Sequence, residues 1–540
     1  MQQIVTFFDS LIAGEAEILH YLLALLPIWI IYMFIRDVTN KKQTIKHNFP
    51  VVGRIRYLLE SIGPELRQYI VANNREELPF NRSERSWIYA SAKKENNYEG
   101  FGTDKDIYAP GHVFINPALF AYRPPDDHPN HHDPYFLPSA KVIGAYNRRK
   151  RPYRPYSIIN ISAMSFGSLS RNAVMALNKG ALKSGCYHNT GEGGLSPYHC
   201  HGADVMFHFG TGYFGVRDEQ GNFSMERMRA LTQQHSFIRA VEIKLSQGAK
   251  PGKGGILPVS KITKEIAQIR GIPMDKDALS PAYHSAFSNI AEMLDFIEDI
   301  AENTGLPVGF KSAVGRLEMW EELADMILQR GTGPDFITID GGEGGTGAAP
   351  HSFADHVSLP FAVAFPNVYR IFLERGLTDR IVFIASGRLG FPAKTMMAFA
   401  LGADLIHIAR EAMMSIGCIQ AQVCHTNHCP AGVATQHWWL QSGLNPTDKA
   451  ERFYNFIRAY RKEVMQMSHA CGYEHPCLVT SKDVEVSMAD AKTTQTLTDC
   501  YGYEKRPVDF KGMQHLLECL HLGGPGKSLE HQETDPLKVL

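Results

Sequence analysis

Residues 240–246 read Ala-Val-Glu-Ile-Lys-Leu-Ser, a short run rich in apolar residues that leads into a glycine-rich loop. Comparable runs recur from residue 155 onward, and stretches with helical periodicity separate them. We expect eight strands, at 157–163, 186–190, 204–210, 240–246, 307–313, 336–341, 381–386 and 405–410. Eight strands that alternate with helices over about 250 residues predict an α/β fold, the (β/α)8 TIM barrel.

The intervening stretches 168–184, 289–303, 316–330 and 363–376 are predicted helices. An open, doubly wound sheet is the alternative fold, but it usually carries a G-x-G-x-x-G turn after its first strand, and that turn is missing here. We therefore divide the chain into a membrane anchor (1–36), a mixed lead-in region (37–150), the barrel with its cysteine segment (151–440), and a helical extension with a tail (441–540).

Composition limits the function. The 540 residues include 55 basic and 56 acidic side chains, a formal net charge of −1, and 44% of them are hydrophobic. These values are typical of a globular enzyme. We find no basic stripe with interleaved aromatic residues, so the sequence does not indicate a nucleic-acid partner.

The segment Ile18–Ile35 contains no Asp, Glu, Lys or Arg. Eighteen residues lie at the short end of what crosses a bilayer. Acidic residues precede the segment, unlike a signal peptide, and basic residues from Arg36 onward follow it. We therefore predict a single transmembrane helix in the cell membrane with the catalytic domain in the cytoplasm. A helix buried against a partner subunit is the alternative.

Three cysteines lie close together in residues 417–436: Cys418, Cys424 and Cys429, with the spacing C-x5-C-x4-C. Thiolates this close in sequence can converge on one soft-metal centre, and three of them suit an iron–sulfur cluster, which implies redox chemistry. Ordinary buried cysteines, or a zinc site completed by His425 or His428, are the alternatives. Nine cysteines in the whole chain, without a framework, indicate a reduced compartment.

In a barrel of this type, chemistry occurs where the strands run out into loops. The first predicted strand ends in Ala163-Met164-Ser165, within a run of mostly small residues that lets a flat ring approach the backbone. The fourth ends at Lys244 and leads into a glycine-rich loop with Gln247 and Lys250, a predicted cradle for a dicarboxylate. The second strand leads into a glycine-rich loop that contains Glu192.

The other strand ends suit a flavin nucleotide. Lys311 ends the fifth strand, where a buried lysine commonly faces the flavin ring. The loops after the seventh and eighth strands form the usual phosphate site of this fold. The predicted cofactor contacts in these loops and after the sixth strand are Asp340, Gly341, Gly342, Gly387, Arg388, Ala409 and Arg410.

These runs resemble the FMN-binding domain of glutamate synthase. The matching stretches lie within residues 155–440 and are 163–170, 189–194, 242–255, 340–350 and 424–436. The resemblance implies FMN in the barrel, a 3Fe–4S cluster on the three cysteines, and an oxidoreductase acting on CH–NH2 groups. It would condense 2-oxoglutarate with ammonia and reduce 2-iminoglutarate to L-glutamate by hydride transfer from FMN, with electrons entering through the cluster.

The resemblance also implies residue roles. Lys244, Gln247 and Lys250 would hold the dicarboxylate, and Glu192 would manage protons or ammonium. Lys244 and Glu192 are therefore the candidate catalytic residues. An N-methylglutamate synthase-like enzyme that uses methylamine is one alternative. A non-catalytic electron relay in a membrane complex is another, although a relay needs no dicarboxylate pocket.

Partners follow from what the sequence does not display. The full family carries a glutaminase domain with an N-terminal cysteine, whereas this chain starts Met1-Gln2-Gln3. We therefore expect it to take free ammonia or an amine, or ammonia from a separate glutaminase subunit. We recognise no NAD(P)-binding pattern, so we expect an external electron donor, either ferredoxin or a separate reductase.

Overall fold

The computed structural model describes residues 25–39, 44–124, 137–490 and 492–505. The chain divides into two compact units, and the boundary lies between Arg85 and Ser86. In the first unit, a helix covers residues 25–38, and further helices cover Thr44–Asn48 and Gly53–Leu66, the latter continuing as a π-helix over Arg67–Val71. The buried carboxylate of Asp37 accepts hydrogen bonds from the Arg54 guanidinium at 2.6 and 2.8 Å.

The predicted membrane span lies only partly within the described residues, since residues 18–24 fall outside them. None of the helices that the structure describes combines the length and the apolar character needed to cross a bilayer. The transmembrane segment therefore stays a prediction.

The second unit contains a closed barrel of eight parallel strands, which confirms the predicted barrel and all eight strand positions. The eighth strand pairs with the first, with Ile406 opposite Ile159. In barrel order, the strands are Ile159–Ile161, His188–Asn189, Val205–Phe209, Ile238–Lys244, Val308–Ser312, Phe336–Asp340, Val382–Ser386 and Leu405–Ile408.

Helices surround the barrel at the predicted places. The helices that follow the first, fourth, fifth, sixth and seventh strands are Arg171–Ser184, Ile290–Thr304, Glu318–Arg330, Phe361–Glu374 and Pro392–Ala400. Met225–Gln234 follows the third strand, Arg410–Ser415 the eighth, and the short 3-10 helix Pro197–His199 the second. His351–His356 is an extra helix before Phe361–Glu374.

The chain leaves the barrel between the fourth strand and its helix, over residues 245–289, which we call the excursion. It contains two short antiparallel strands, Ile256–Leu257 and Ala278–Leu279, which pair with each other. Between them lie the 3-10 helix Val259–Lys261 and the helix Lys264–Arg270. The excursion therefore brings basic residues to the end of the barrel at which the fourth strand terminates.

The C-terminal extension is less helical than expected. Pro446–Ala470 is a helix, as predicted, and packs along Arg171–Ser184. However, Val484–Ser487 pairs with Thr494–Thr496 and with the lead-in strand Val113–Ile115 in a three-stranded antiparallel sheet. The remaining elements are the helices Arg82–Lys93, Trp438–Ser442 and Leu497–Tyr501 and the 3-10 helix Pro476–Leu478. The predicted tail at 523–540 lies outside the described residues.

Ion pairs from the lead-in region reach the strand starts at the opposite end of the barrel. Arg149 donates to the carboxylate of Asp335 at 2.9 Å and to that of Glu298 at 2.6 Å. The Asp335 side chain is 0% exposed and also accepts the backbone N–H of Val308 at 2.7 Å. Lys141 pairs in the same way with Asp404 at 2.8 Å. Largely buried ion pairs therefore connect the lead-in region to the starts of the strands.

Replacing Arg149 with Met should destabilise the protein strongly. The Asp335 carboxylate would stay buried without its cation, and breaking a buried pair costs about 3–5 kcal/mol. The measurement is the free energy of unfolding in urea. Arg148→Met, at an exposed neighbouring position, is the matched control and should unfold like the parent. Equal stabilities for both variants would contradict the assignment.

Candidate active site

Glu192, Lys244 and Gln247 meet at the strand ends, as the sequence predicts. The Lys244 ammonium donates to both carboxylate oxygens of Glu192 at 3.0 Å and to the side-chain oxygen of Gln247 at 2.9 Å. Lys244 is buried, and the Glu192 side chain keeps a minor exposed fraction. A lysine held by two partners in this way has lost its rotamer freedom before any ligand arrives.

Two glycines make room for the Glu192 carboxylate. A Cβ at Gly210 would lie 2.7 Å from one carboxylate oxygen, and a Cβ at Gly255 would lie 2.8 Å from the other. Side chains at either position would displace the carboxylate or the loop. The glycines that follow the third and fourth strands therefore have a specific packing role and do not belong to ordinary turns.

The charge state of Glu192 follows from its surroundings. Burial alone would raise the pKa of this carboxyl, but the neighbouring Lys244 ammonium, with smaller effects of His208 and Lys250, lowers the pKa to about 2. Glu192 is therefore ionised at neutral pH. Burial lowers the pKa of Lys250, and Glu192 opposes that change.

The loop after the fourth strand is docked on the loop after the sixth. Gly248 donates its N–H to Asp340 at 2.8 Å, and a Cβ at Gly248 would lie only 1.8 Å from the Gly341 carbonyl oxygen. Lys250 donates to the Ala348 carbonyl at 3.0 Å. These contacts place Lys250 close to Lys244 and Glu192.

Asp340 was predicted as a cofactor contact. The structure shows its two carboxylate oxygens accepting hydrogen bonds from Gly248 N–H and, at 2.9 Å, from the Ser386 hydroxyl. Gly342 donates its N–H to the Leu359 carbonyl at 2.9 Å. Asp340 and Gly342 therefore hold neighbouring loops in place around the barrel mouth.

A cavity of about 270 Å³ opens beside this cluster. Its lining includes Glu192 and Lys244 together with Thr211, Ser246 and Lys253. The polar lining and the lysines suit a small anionic ligand. Lys253 belongs to the predicted lysine-bearing loop, whereas Thr211 and Ser246 were not singled out as site residues from the sequence.

The barrel interior beneath the mouth is polar. Glu242 is fully buried and accepts hydrogen bonds from His208 at 2.6 Å, Asn189 at 2.7 Å and Thr338 at 2.5 Å. Burial would raise the pKa of Glu242, but the hydrogen bond from His208 and the surrounding positive charge hold it well below its usual range. Glu242 was not among the site residues predicted from the sequence.

The residues at the strand ends fit an FMN molecule. The Lys311 side chain is 6% exposed, and its ammonium has no hydrogen-bond partner among the residues that the structure describes. A buried cation in that position suits the electron-rich edge of a flavin ring. Ala163, Met164 and Ser165 follow the first strand on the same end of the barrel. The ring site therefore has both a cation and an approachable backbone.

The predicted phosphate site also has suitable donors. Gly387 and Arg388 follow the seventh strand, and Ala409 and Arg410 follow the eighth. The two guanidinium groups lie close enough for Arg388 to lower the pKa of Arg410, on which burial has the larger effect in the same direction. Two neighbouring guanidinium groups at a strand-end loop are suited to a phosphate.

The three cysteines surround a single cavity. Cys418, Cys424 and Cys429 line a space of about 300 Å³, with apolar side chains completing the wall. All three are free thiols, and burial raises the pKa of Cys418 to about 12. In the described part of the chain, no three His, Cys, Asp or Glu side chains converge closely enough to hold one metal ion. Three thiols that line one cavity fit a multi-iron cluster with its own sulfides.

The cysteine segment is bonded to the loop after the first strand. Gln436 donates to the carbonyls of Gly167 at 3.1 Å and Leu169 at 2.8 Å, and the Ser170 hydroxyl donates to the Gly432 carbonyl at 2.7 Å. The flavin-side loop and the cysteine segment therefore form one wall.

Two cations of the excursion reach this wall, and sequence reasoning missed both. Lys261 donates to the carbonyls of Ser168 and Cys424, and Arg270 donates to the Phe166 carbonyl at 3.0 Å and to the Ser165 hydroxyl at 3.3 Å. The signal that could have found them is a basic residue in an irregular segment that follows a strand end.

A sequence model described as "Conserved region in glutamate synthase" matches residues 139–474. The chain belongs to the glutamate synthase family. It is 40% identical to the glutamate synthase large subunit-like protein YerD of Bacillus subtilis (strain 168), over 82% of this chain and 90% of that protein. It is thus a glutamate synthase-like oxidoreductase with an α/β barrel.

The archaeal glutamate synthase [NADPH] of Methanocaldococcus jannaschii is 37% identical over 58% of this chain. The match covers 59% of that protein, so the chain spans well under two thirds of some of the relatives it matches. Among solved structures, a flavocytochrome b2 variant aligns with 85% of this chain and 94% of its own at 13% identity, with a TM-score of 0.41. A likeness this slight adds nothing to the argument.

Replacing Lys244 with Met should change how stability depends on pH. In the parent, the pKa of Glu192 is depressed. The stability that this ionised carboxylate contributes is therefore fully present above pH 4.5, the ordinary pKa of the group. Without Lys244, burial remains and the folded pKa should rise above 4.5, so the variant should lose stability as pH rises from 5 towards that raised pKa. Urea unfolding at pH 5 and pH 8 measures this.

The control for this change is the double variant Lys244→Met/Glu192→Gln, which should not show the added pH dependence because the carboxyl is gone. Lys276→Met, at an exposed position, should match the parent at both pH values. If Lys244→Met were destabilised by the same amount at pH 5 and at pH 8, Lys244 would not control the charge of Glu192.

Proposed function

We propose that this protein catalyses the reductive amination of 2-oxoglutarate to L-glutamate. The observation that carries the proposal is the hydrogen-bonded cluster of Glu192, Lys244 and Gln247 at the mouth of a barrel whose other strand ends fit FMN. It agrees with the glutamate synthase relatives. An electron relay without a substrate would have no need of two lysines and a carboxylate beside a cavity.

The charges suit a dicarboxylate. Lys244 and Lys250 together outnumber the single negative charge of Glu192, and Lys253 adds a further ammonium to the cavity wall. A charge-assisted hydrogen bond is worth about 1.5–3 kcal/mol, so two carboxylates can be held without other strong contacts. Gln247, bonded to Lys244, keeps that ammonium directed at the cavity.

Glu192 gives the site a place for ammonia. Its carboxylate stays ionised at neutral pH, so its two oxygens can hold an ammonium ion by charge-assisted hydrogen bonds. Lys244, hydrogen-bonded to the same carboxylate, keeps those oxygens fixed beside the cavity. Ammonia released there would meet the carbonyl carbon of 2-oxoglutarate, and loss of water would give 2-iminoglutarate.

When bound, FMN would supply hydride to the imine carbon, and a 3Fe–4S cluster would supply the flavin with electrons one at a time. Ala163, Met164, Ser165, Lys311, Gly387, Arg388, Ala409 and Arg410 are the residues that would hold the flavin, and Cys418, Cys424 and Cys429 those that would hold the cluster. An external ferredoxin or reductase would be the source of electrons.

The purified protein, reduced by dithionite, should convert 2-oxoglutarate and ammonium to glutamate and should not use glutamine. Lys244→Ala should weaken 2-oxoglutarate binding about tenfold to a hundredfold, because a charge-assisted contact is lost. Glutamate formation and the dissociation constant of 2-oxoglutarate are the measurements. Lys276→Ala, at an exposed position, is the control.

Each outcome of this assay separates one alternative. Turnover with methylamine but not ammonium would instead favour the N-methylglutamate synthase-like enzyme. Glutamine turnover at the ammonium rate would mean that the chain needs no separate glutaminase subunit. A protein that binds FMN and iron but neither binds nor converts 2-oxoglutarate would leave only the electron relay.

We propose further that residues 18–35 anchor the protein in the cell membrane with its barrel in the cytoplasm. In support, the helix over residues 25–38 exposes large apolar side chains, among them Ile28, Trp29 and Ile31. The full chain should stay with membranes after carbonate extraction, and a chain that starts at residue 44 should be released. Release of both would contradict the anchor.

A further inference from the structure

We propose that Lys261 is a positioning residue that links the two predicted cofactor sites and stabilises the reduced form of the cluster. The inference rests on the proposed function, because it assumes FMN in the barrel and a cluster on the three cysteines. It assigns a role to a residue that lies outside the motifs from which those sites were recognised.

Lys261 ends the short 3-10 helix of the excursion and is only 3% exposed. Its ammonium donates to the Ser168 carbonyl at 2.8 Å and to the Cys424 carbonyl at 3.1 Å. Ser168 belongs to the loop after the first strand, and Cys424 is the middle cysteine of the three. One side chain therefore bridges the flavin-side loop and the cluster segment.

Other described bonds across this contact are made by neutral groups. Gln436 and Ser170 connect the cysteine segment to the first-strand loop, and Asn427 donates to the Ser260 carbonyl at 2.8 Å. Those bonds fix the geometry. The bond from Lys261 adds a formal charge to the same contact.

The Lys261 ammonium pairs with none of the carboxylates that the structure describes. A buried charge is costly unless an opposite charge lies nearby. The two described partners of the Lys261 ammonium are neutral carbonyls, and one of them belongs to Cys424. A cluster held by three thiolates is anionic. It would therefore give Lys261 the opposite charge that none of the described carboxylates provides.

One-electron reduction makes this pairing stronger. The external donor loses one electron and the cluster gains it, so the cluster becomes more negative by one charge without a proton. A fixed ammonium nearby stabilises the reduced form more than the oxidised form, and the effect is larger in a poorly solvated site. Lys261 should therefore raise the reduction potential of the cluster.

The experiment is a redox titration of the cluster in the purified holoprotein, followed by electron paramagnetic resonance, with iron and FMN contents measured in each sample. Lys261→Met should lower the equilibrium constant for cluster reduction about tenfold, which for a one-electron couple is a shift of about 59 mV to lower potential. Lys261→Arg, which keeps the charge, should stay near the parent. Lys264→Met, three residues away and exposed, should be unchanged.

An unchanged potential in Lys261→Met with full iron content would overturn the inference, as would an equal shift in Lys261→Arg. Should Lys261→Met lose its iron, retention of the cluster and its potential in Lys261→Arg would support the role of charge, and loss in both would overturn it. A parent protein without the cluster would overturn the proposed cofactors as well. A parent that holds both cofactors yet makes no glutamate would overturn the function alone.

Discussion

A carboxylate buried at the centre of the barrel is the constraint on which the rest of the site depends. Glu242 has no access to water, so its oxygens must be satisfied by protein groups, and His208, Asn189 and Thr338 provide the hydrogen bonds. These groups come from the second, third and sixth strands, and Glu242 lies on the fourth. Four strands are thus tied at one point, beneath the ends that carry Lys244, Asp340 and the Glu192 loop.

At both ends of the barrel, carboxylates that are buried or nearly so are neutralised by neighbouring cations. Arg149 and Lys141 neutralise carboxylates at the strand starts, and Lys244 neutralises Glu192 at the mouth. Each pair is either buried or nearly so, and the loss of one partner costs far more than the pair contributes. The difference between the ends is that Lys244 and Glu192 face a cavity, so a ligand can share their hydrogen bonds, whereas Asp335 is enclosed by protein.

The sequence predicted the barrel because each strand is a local apolar run, and it predicted the joining of Glu192, Lys244 and Gln247 because strand ends meet at one edge. It also predicted that the three cysteines, which are close in sequence, come together, and they line one cavity. It did not predict the strands at Val484–Ser487 and Thr494–Thr496, since the first pairs with the distant Val113–Ile115 and the second pairs with the first. Nor did it reveal Lys261, whose partners lie about 90 and 160 residues away along the chain.

The topology of a closed barrel explains why the cysteine segment after the last strand lies beside the loop after the first strand. Closure pairs the eighth strand with the first, with His407 opposite Asn160. The chain that leaves the eighth strand therefore emerges next to the chain that leaves the first. A short helix, Arg410–Ser415, and the cysteine segment then suffice to bring Gln436 back to Gly167. No long connection is needed to place the three cysteines beside the loop after the first strand, and Lys261 of the excursion contacts both segments.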